Sequence, residues 1–187
     1  MSSNNTYPKS MMFYHLLGFL LVIAAYVTIS MTDLFPRGSS LRGVAIQTHF
    51  LVGIILIMFF IPRFFIRVKK FKSIPPITPS LSKNNKILAN LGHFALYAWM
   101  VIMPLLGWAL VSANYGSVNI YGINIPGIIA QNKEIASLLK ELHEVFAGLG
   151  MFLIIGHVVM ALWHHFKKQN NTMIRMFPWF KWGMKKD

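Results

Sequence analysis

The chain is predicted to be an all-α protein, a bundle of four helices that cross a membrane with both termini on the cytoplasmic side. Three observations carry that prediction. Of its 187 residues, 55% are hydrophobic and only 12% charged, with a mean hydropathy of +0.53, a composition foreign to soluble globular proteins. Four apolar segments are each about as long as the roughly 20 helical residues that span a hydrocarbon layer of about 30 Å. The cations, finally, alternate between the connections in the manner of a multi-pass topology.

The four spans are read at about Met11 to Met31, Val44 to Ile61, Ile87 to Val111 and Leu138 to Phe166, the second extending past Pro62 to Arg67. The first has a longer apolar run than a secretory signal and no small-residue cleavage site after it, so it is read as a retained helix. Residues 1–10 are polar and expected to fray. Between the first two spans, Pro36, Gly38, Ser39 and Ser40 mark a short reversing loop. The stretch Lys69 to Asn85, with Pro75, Pro76 and Pro79, reads as an extended linker on the membrane surface. Pro104 removes a backbone hydrogen bond inside the third helix and should kink it. From Ala113 to Ser137, Gly116, Gly122, Pro126 and Gly127 interleave with Ile and Val, which suggests a compact lid over the bundle end. Asn170 to Asp187 mixes Phe177, Trp179, Phe180 and Trp182 with lysines, as in a segment resting at the headgroups. With no repeat in evidence, residues 1–187 form one domain.

The net charge of +13 would suit nucleic acid were it not for its distribution. Lys9, Arg63, Arg67, Lys69, Lys70, Lys72, Lys83, Lys86, Lys167, Lys168, Arg175, Lys181, Lys185 and Lys186 all flank one side of the spans, leaving Arg37, Arg42, Lys133 and Lys140 on the other. The rich side is cytoplasmic by the positive-inside rule, and the basicity reports topology and anionic lipid rather than nucleic acid. Asp33, Glu134, Glu141 and Glu144 fall outside. The absence of cysteine excludes disulfides, thiolate-held iron–sulfur clusters and covalently attached haem.

Seven histidines hold the chemistry. His143 and His157 are fourteen residues apart on the fourth span, nearly four turns, so they share a face about 21 Å apart along the axis. Given inside termini, His15 lies near the cytoplasmic end of the first span and His49 near the outer end of the second. Depth therefore pairs His49 with His143 outside and His15 with His157 inside. Each pair joins two helices, as the iron of a non-covalent b haem inside a bundle requires. Gly18, Gly53, Gly148, Gly150 and Gly156 near these histidines would leave room for flat rings, although small residues also serve close helix packing in membranes. Arg63 and Arg67, one turn apart, suit haem propionates or lipid headgroups. His93 could replace His15 as an inner ligand, line a pocket, or touch a quinone or relay its protons, and His164 shares the last two roles. His165 points elsewhere, and histidines at this depth are expected to be solvated.

The ordered segments Phe13-Tyr14-His15-Leu16, Gln47-Thr48-His49-Phe50 with Gly53, Leu91-Gly92-His93, Met103-Pro104-Leu105-Leu106-Gly107, Leu142-His143-Glu144, Gly156-His157 and His164-His165 resemble the prokaryotic cytochrome b561 family from about Tyr7 to Pro178. The resemblance implies a four-helix inner-membrane protein of bacteria with two b haems ligated by His15, His49, His143 and His157. Within that family the likeness extends to members that take single electrons from superoxide at the outer face and reduce ubiquinone. Superoxide is an anion, whereas the outer side balances four cations with four acids, so steering must be local; Lys140, three residues before His143, is the candidate, the alternative being a solvated helix-end lysine. Two rivals remain. An anchor subunit would pass electrons between a partner dehydrogenase or hydrogenase and quinone, with Ala113 to Ser137 as its docking lid. A histidine-relay transporter would lack haem absorption altogether.

Overall fold

A computed structural model describes residues 5–183. Its elements in chain order are α1 (Lys9–Ser30), α2 (Ser40–Lys69), α3 (Lys83–Tyr115), β1 (Ser117–Ile120), β2 (Ile123–Pro126), α4 (Lys133–Phe166) and α5 (Thr172–Met176), with short 3-10 turns at Met31–Leu34 and Phe71–Ser73. The four long helices are apolar and long enough to cross a membrane. Their outward apolar side chains stay uncovered by protein: Phe13, Phe65, Phe94 and Phe152 are 58, 57, 72 and 77% exposed. Only a lipid solvent makes that surface tolerable.

Three of the long helices begin on a polar side chain that accepts from their first turn. Ser39 Oγ takes the Arg42 amide (3.3 Å), Ser82 Oγ that of Asn85 (3.4 Å), and Asn132 Oδ1 those of Glu134 and Ile135 (2.9 and 3.0 Å). These caps extend α2, α3 and α4 beyond the apolar spans, so α4 starts at Lys133 rather than Leu138. Both Pro62 and Pro104 lie within unbroken helices.

The backbone divides into two compact units. One comprises the described residues of Met1–His15, Pro62–Ala98 and Leu149–Asp187; the other is Leu16–Ile61 with Trp99–Gly148. The second unit contains the antiparallel β1–β2 hairpin, Ser117 opposite Pro126 and Ile120 opposite Ile123. Tyr121 and Gly122 form its two-residue turn with φ of +49° and +88°, the paired positive values of a type I′ turn. Val118 and Ile120 are buried with Val111 of α3 against Phe50, Ile54, Trp108 and Ile125. The segment anticipated as a lid, Ala113 to Ser137, thus contains a hairpin whose apolar residues pack against α2 and α3.

In the first unit the chain ends depart from expectation. Tyr7 is not frayed: its amide donates to the Arg175 carbonyl (2.8 Å), and α1 has begun by Lys9, while residues 1–4 of the expected frayed stretch lie outside the described residues. The tail does more than rest on the headgroups. Asn171 binds the linker through Thr78 and Pro76, and α5 buries Arg175 to 4% exposure. Trp179 and Trp182 remain 70 and 76% exposed, as an interfacial segment demands; Lys185, Lys186 and Asp187 are outside the described residues.

Candidate haem-binding sites

The second unit brings His49 of α2 and His143 of α4 together, ring centres 6.3 Å apart and planes at 85°. His49 Nδ1 lies 2.9 Å from the Ala25 carbonyl of α1; donating there fixes the tautomer and leaves Nε2 with a free lone pair. The ring of His143 is shaped by a residue that the sequence offered only as part of a motif. A Cβ on Gly107 would stand 3.1 Å from His143 Cε1, so α3 lets the imidazole lie directly on its backbone. Two girders hold α4 beside this site. Tyr26 OH donates to the Ala147 carbonyl (2.6 Å) and Trp99 Nε1 to that of Phe146 (2.8 Å), the two aromatic rings stacked at 6°. Next to His49, Thr48 Oγ1 meets Tyr121 OH at 2.6 Å, and Gln47 Oε1 accepts the Tyr121 amide at 2.8 Å, which fastens the hairpin tip to α2.

Within the first unit, His15 of α1 faces His157 of α4 with ring centres 6.2 Å apart. His93 of α3 stands nearer to His157, at 5.4 Å and 74°. Arg63 donates to the Tyr14 carbonyl (3.0 Å), packs over Tyr97 (5.4 Å) and is within electrostatic reach of His15, His93 and His157. Arg67 lies over Phe71 at 5.8 Å. Phe177, beyond α5, sets its edge on the His15 ring (5.9 Å).

An iron between two imidazoles takes a bond of about 2 Å on each side, and each ring centre lies about 1 Å beyond its nitrogen, so the centres should stand roughly 6 Å apart. Both pairs meet that spacing. The His93–His157 centres stand closer than this, at 5.4 Å. Nδ1 of His15 is buried without a hydrogen-bond partner, a cost usually explained by a group still to be bound, whereas the His143 ring has the Met103 backbone beside it. A Cβ at Gly53, Gly148 or Gly156 would touch nothing within 4 Å, leaving room along those faces for a flat ring, whereas Gly18 and Gly150 are buried. The residues present fit b haem.

The last two histidines are buried rather than solvated. His164, 7% exposed, pairs through Nδ1 with Asn170 Nδ2 (3.0 Å), and His165, with no exposure, lies 2.8 Å through Nε2 from the Trp182 carbonyl. Both moor the tail, a role with no signal in span-length periodicity. In the second unit, Lys140 forms an ion pair with Glu144 (3.1 Å), Arg42 is held by the Thr32 and Phe35 carbonyls, and Lys133 reaches the Asn114 carbonyl (3.3 Å).

The family model described as prokaryotic cytochrome b561 matches residues 6–179. The chain is 33% identical to "Cytochrome b561 homolog 1" of Escherichia coli (strain K12) over 174 residues, covering 93% of this chain and 98% of the relative. It is 31% identical to "Probable superoxide oxidase CybB" of Yersinia pestis, with 88 and 91% covered. A third relative, "Cytochrome b561 homolog 2" of Escherichia coli (strain K12), is 29% identical over 70% of this chain and 69% of its own.

Proposed function

The chain belongs to the prokaryotic cytochrome b561 family of multi-pass inner-membrane haem proteins, and from that premise we propose that it holds two b haems and carries single electrons across the membrane from superoxide to ubiquinone. The observation that supports this most is the pair of interhelical imidazole couples at 6.2 and 6.3 Å. When bound between two imidazoles, b haem supplies a one-electron couple with no open coordination position.

The chain's own residues define the rest. His49 and His143 hold the outer group, the Ala25 carbonyl orienting one imidazole and Gly107 the other. His15 and His157 hold the inner group, with Arg63 and Arg67 as cationic partners for its carboxylates. His93, beside His157, is the side chain placed to hand protons to a quinone near the inner pair; His164 already accepts from Asn170, which leaves it the weaker candidate.

Superoxide as donor is supported by the likeness to the Yersinia pestis protein. Balanced outer charge and the Lys140–Glu144 pair give little long-range attraction, so capture should depend weakly on ionic strength. The anchor-subunit reading is favoured by one feature, the exposed apolar residues of the lid: Tyr115 and Ile123 are 69% exposed and Tyr121 53%. Stopped-flow mixing of the purified protein with superoxide, with and without ubiquinone, separates the two. Fast haem reduction followed by quinone-dependent reoxidation supports superoxide oxidation; inertness toward superoxide with ready reduction by a co-purifying dehydrogenase supports the anchor.

A further inference from the structure

Arg175 is the least expected residue of the first unit. A guanidinium stays charged throughout the accessible pH range, yet this one is only 4% exposed. Its environment supplies little compensation. Nη2 reaches Tyr7 OH at a long 3.3 Å, the cation lies 4.9 Å over the Tyr7 ring, and Nε is buried with no partner. Burial lowers its affinity for the proton, Tyr7 opposes that effect and Arg67 adds to it. Arg67 is within electrostatic reach and of the same sign, and among the described residues the sole carboxylate ion pair is elsewhere, between Lys140 and Glu144.

A second orphan lies on the same element. Thr172 Oγ1 is buried without a partner, three residues before Arg175 and so on the same face of α5. Two buried donors short of an acceptor are destabilising, the charged one more so, unless something supplies oxygen. The face is held firmly, since the Tyr7 amide donates to the Arg175 carbonyl, the Arg175 amide to that of Asn171, and Asn171 fastens the Thr78 linker.

We infer that Arg175, with Thr172 on its face, forms a buried clamp for an oxyanion in the first unit. The chemistry required is a carboxylate or phosphate with at least two acceptor oxygens, for which arginine is the best-matched side chain. Two sources offer it, a propionate of the inner haem and a phospholipid headgroup. Propionate is the better match, because Phe177, two residues after Arg175, touches the ring of His15 and so brings the clamp to the inner histidine pair.

The inference rests on the reading of an inner His15–His157 haem, and its test keeps the two apart. Purified holoprotein is compared with Arg175→Gln, Arg175→Lys and Thr172→Val for haem per chain, the midpoint potential of each haem, and tightly bound phosphorus. Wild-type and variant proteins are also reconstituted with haem dimethyl ester. A propionate in the clamp predicts a lower inner potential in Arg175→Gln, because a cation that favours the reduced state is gone. It also predicts partial rescue by Lys, an unmoved outer potential, and a shift of the inner potential on esterification that differs between wild-type and Arg175→Gln protein. Loss of one bound phosphorus per chain with both potentials unchanged would retain the clamp and assign it to lipid. Wild-type potentials, haem and phosphorus in Arg175→Gln would overturn it, as would a loss of thermal stability alone. If Arg175→Gln does not fold, Thr172→Val is judged by the same criteria. A wild-type protein without b-type absorption would instead sink the haem reading itself.

Discussion

His49 and His143 are oriented by backbone rather than by charged neighbours, which suits an imidazole that must stay neutral to bind iron. The Ala25 carbonyl fixes His49, and the missing Cβ of Gly107 gives His143 its place. Gly107→Ala should push the His143 ring by a few tenths of an ångström; an overpacking cost of about 1–3 kcal/mol is expected, together with a shifted outer-haem spectrum. Thermal denaturation and low-temperature absorption spectra check both. His49→Ala or His143→Ala should remove the outer haem only, and His15→Ala or His157→Ala the inner only, leaving about half of the pigment; full pigment in any of the four would refute the pairing. The two histidine pairs proposed as ligands were legible in sequence because helical rise converts residue number into depth. Gly107 was not, since its contact is with another helix. Arg175 was read only as a topological charge, because burial of a tail residue depends on where Tyr7 and the linker lie.

At the scale of elements, the cores of all four spans follow from hydropathy, while their ends do not. Helices continue beyond lipid wherever a polar cap can satisfy the first amides, as Asn132 does for α4. The hairpin escaped prediction for a related reason: Tyr121-Gly122 is not the Asn-Gly pair that usually announces a type I′ turn, and Tyr121 holds its positive φ only because Gln47 and Thr48 anchor it. Tyr121→Phe keeps the ring and loses the hydroxyl contact, so the lid should exchange its amides faster while both haems remain bound; hydrogen–deuterium exchange in detergent measures this. Tyr26→Phe removes a bond between α1 and α4. Interhelical bonds in membranes average about 0.6 kcal/mol and reach about 1.7, so a modest loss of stability is expected, readable as a lower resistance to denaturing detergent.

For the molecule as a whole, charge placement yields an orientation that can be tested directly. The chain has no cysteine, so single substitutions report without background. Asn119→Cys on the hairpin should react with an impermeant maleimide in intact spheroplasts, and Lys72→Cys in the linker only after the membrane is opened. The opposite pattern would invert the outer and inner assignments. Both orientations retain two imidazole couples, on which every functional statement depends. Electron paramagnetic resonance of the purified protein, combined with a quantified pyridine haemochromogen, tests those couples most directly. Two b haems per chain are expected, both low-spin with two axial imidazoles. A single haem per chain, or a high-spin centre with an open axial position in the wild-type protein, would contradict this.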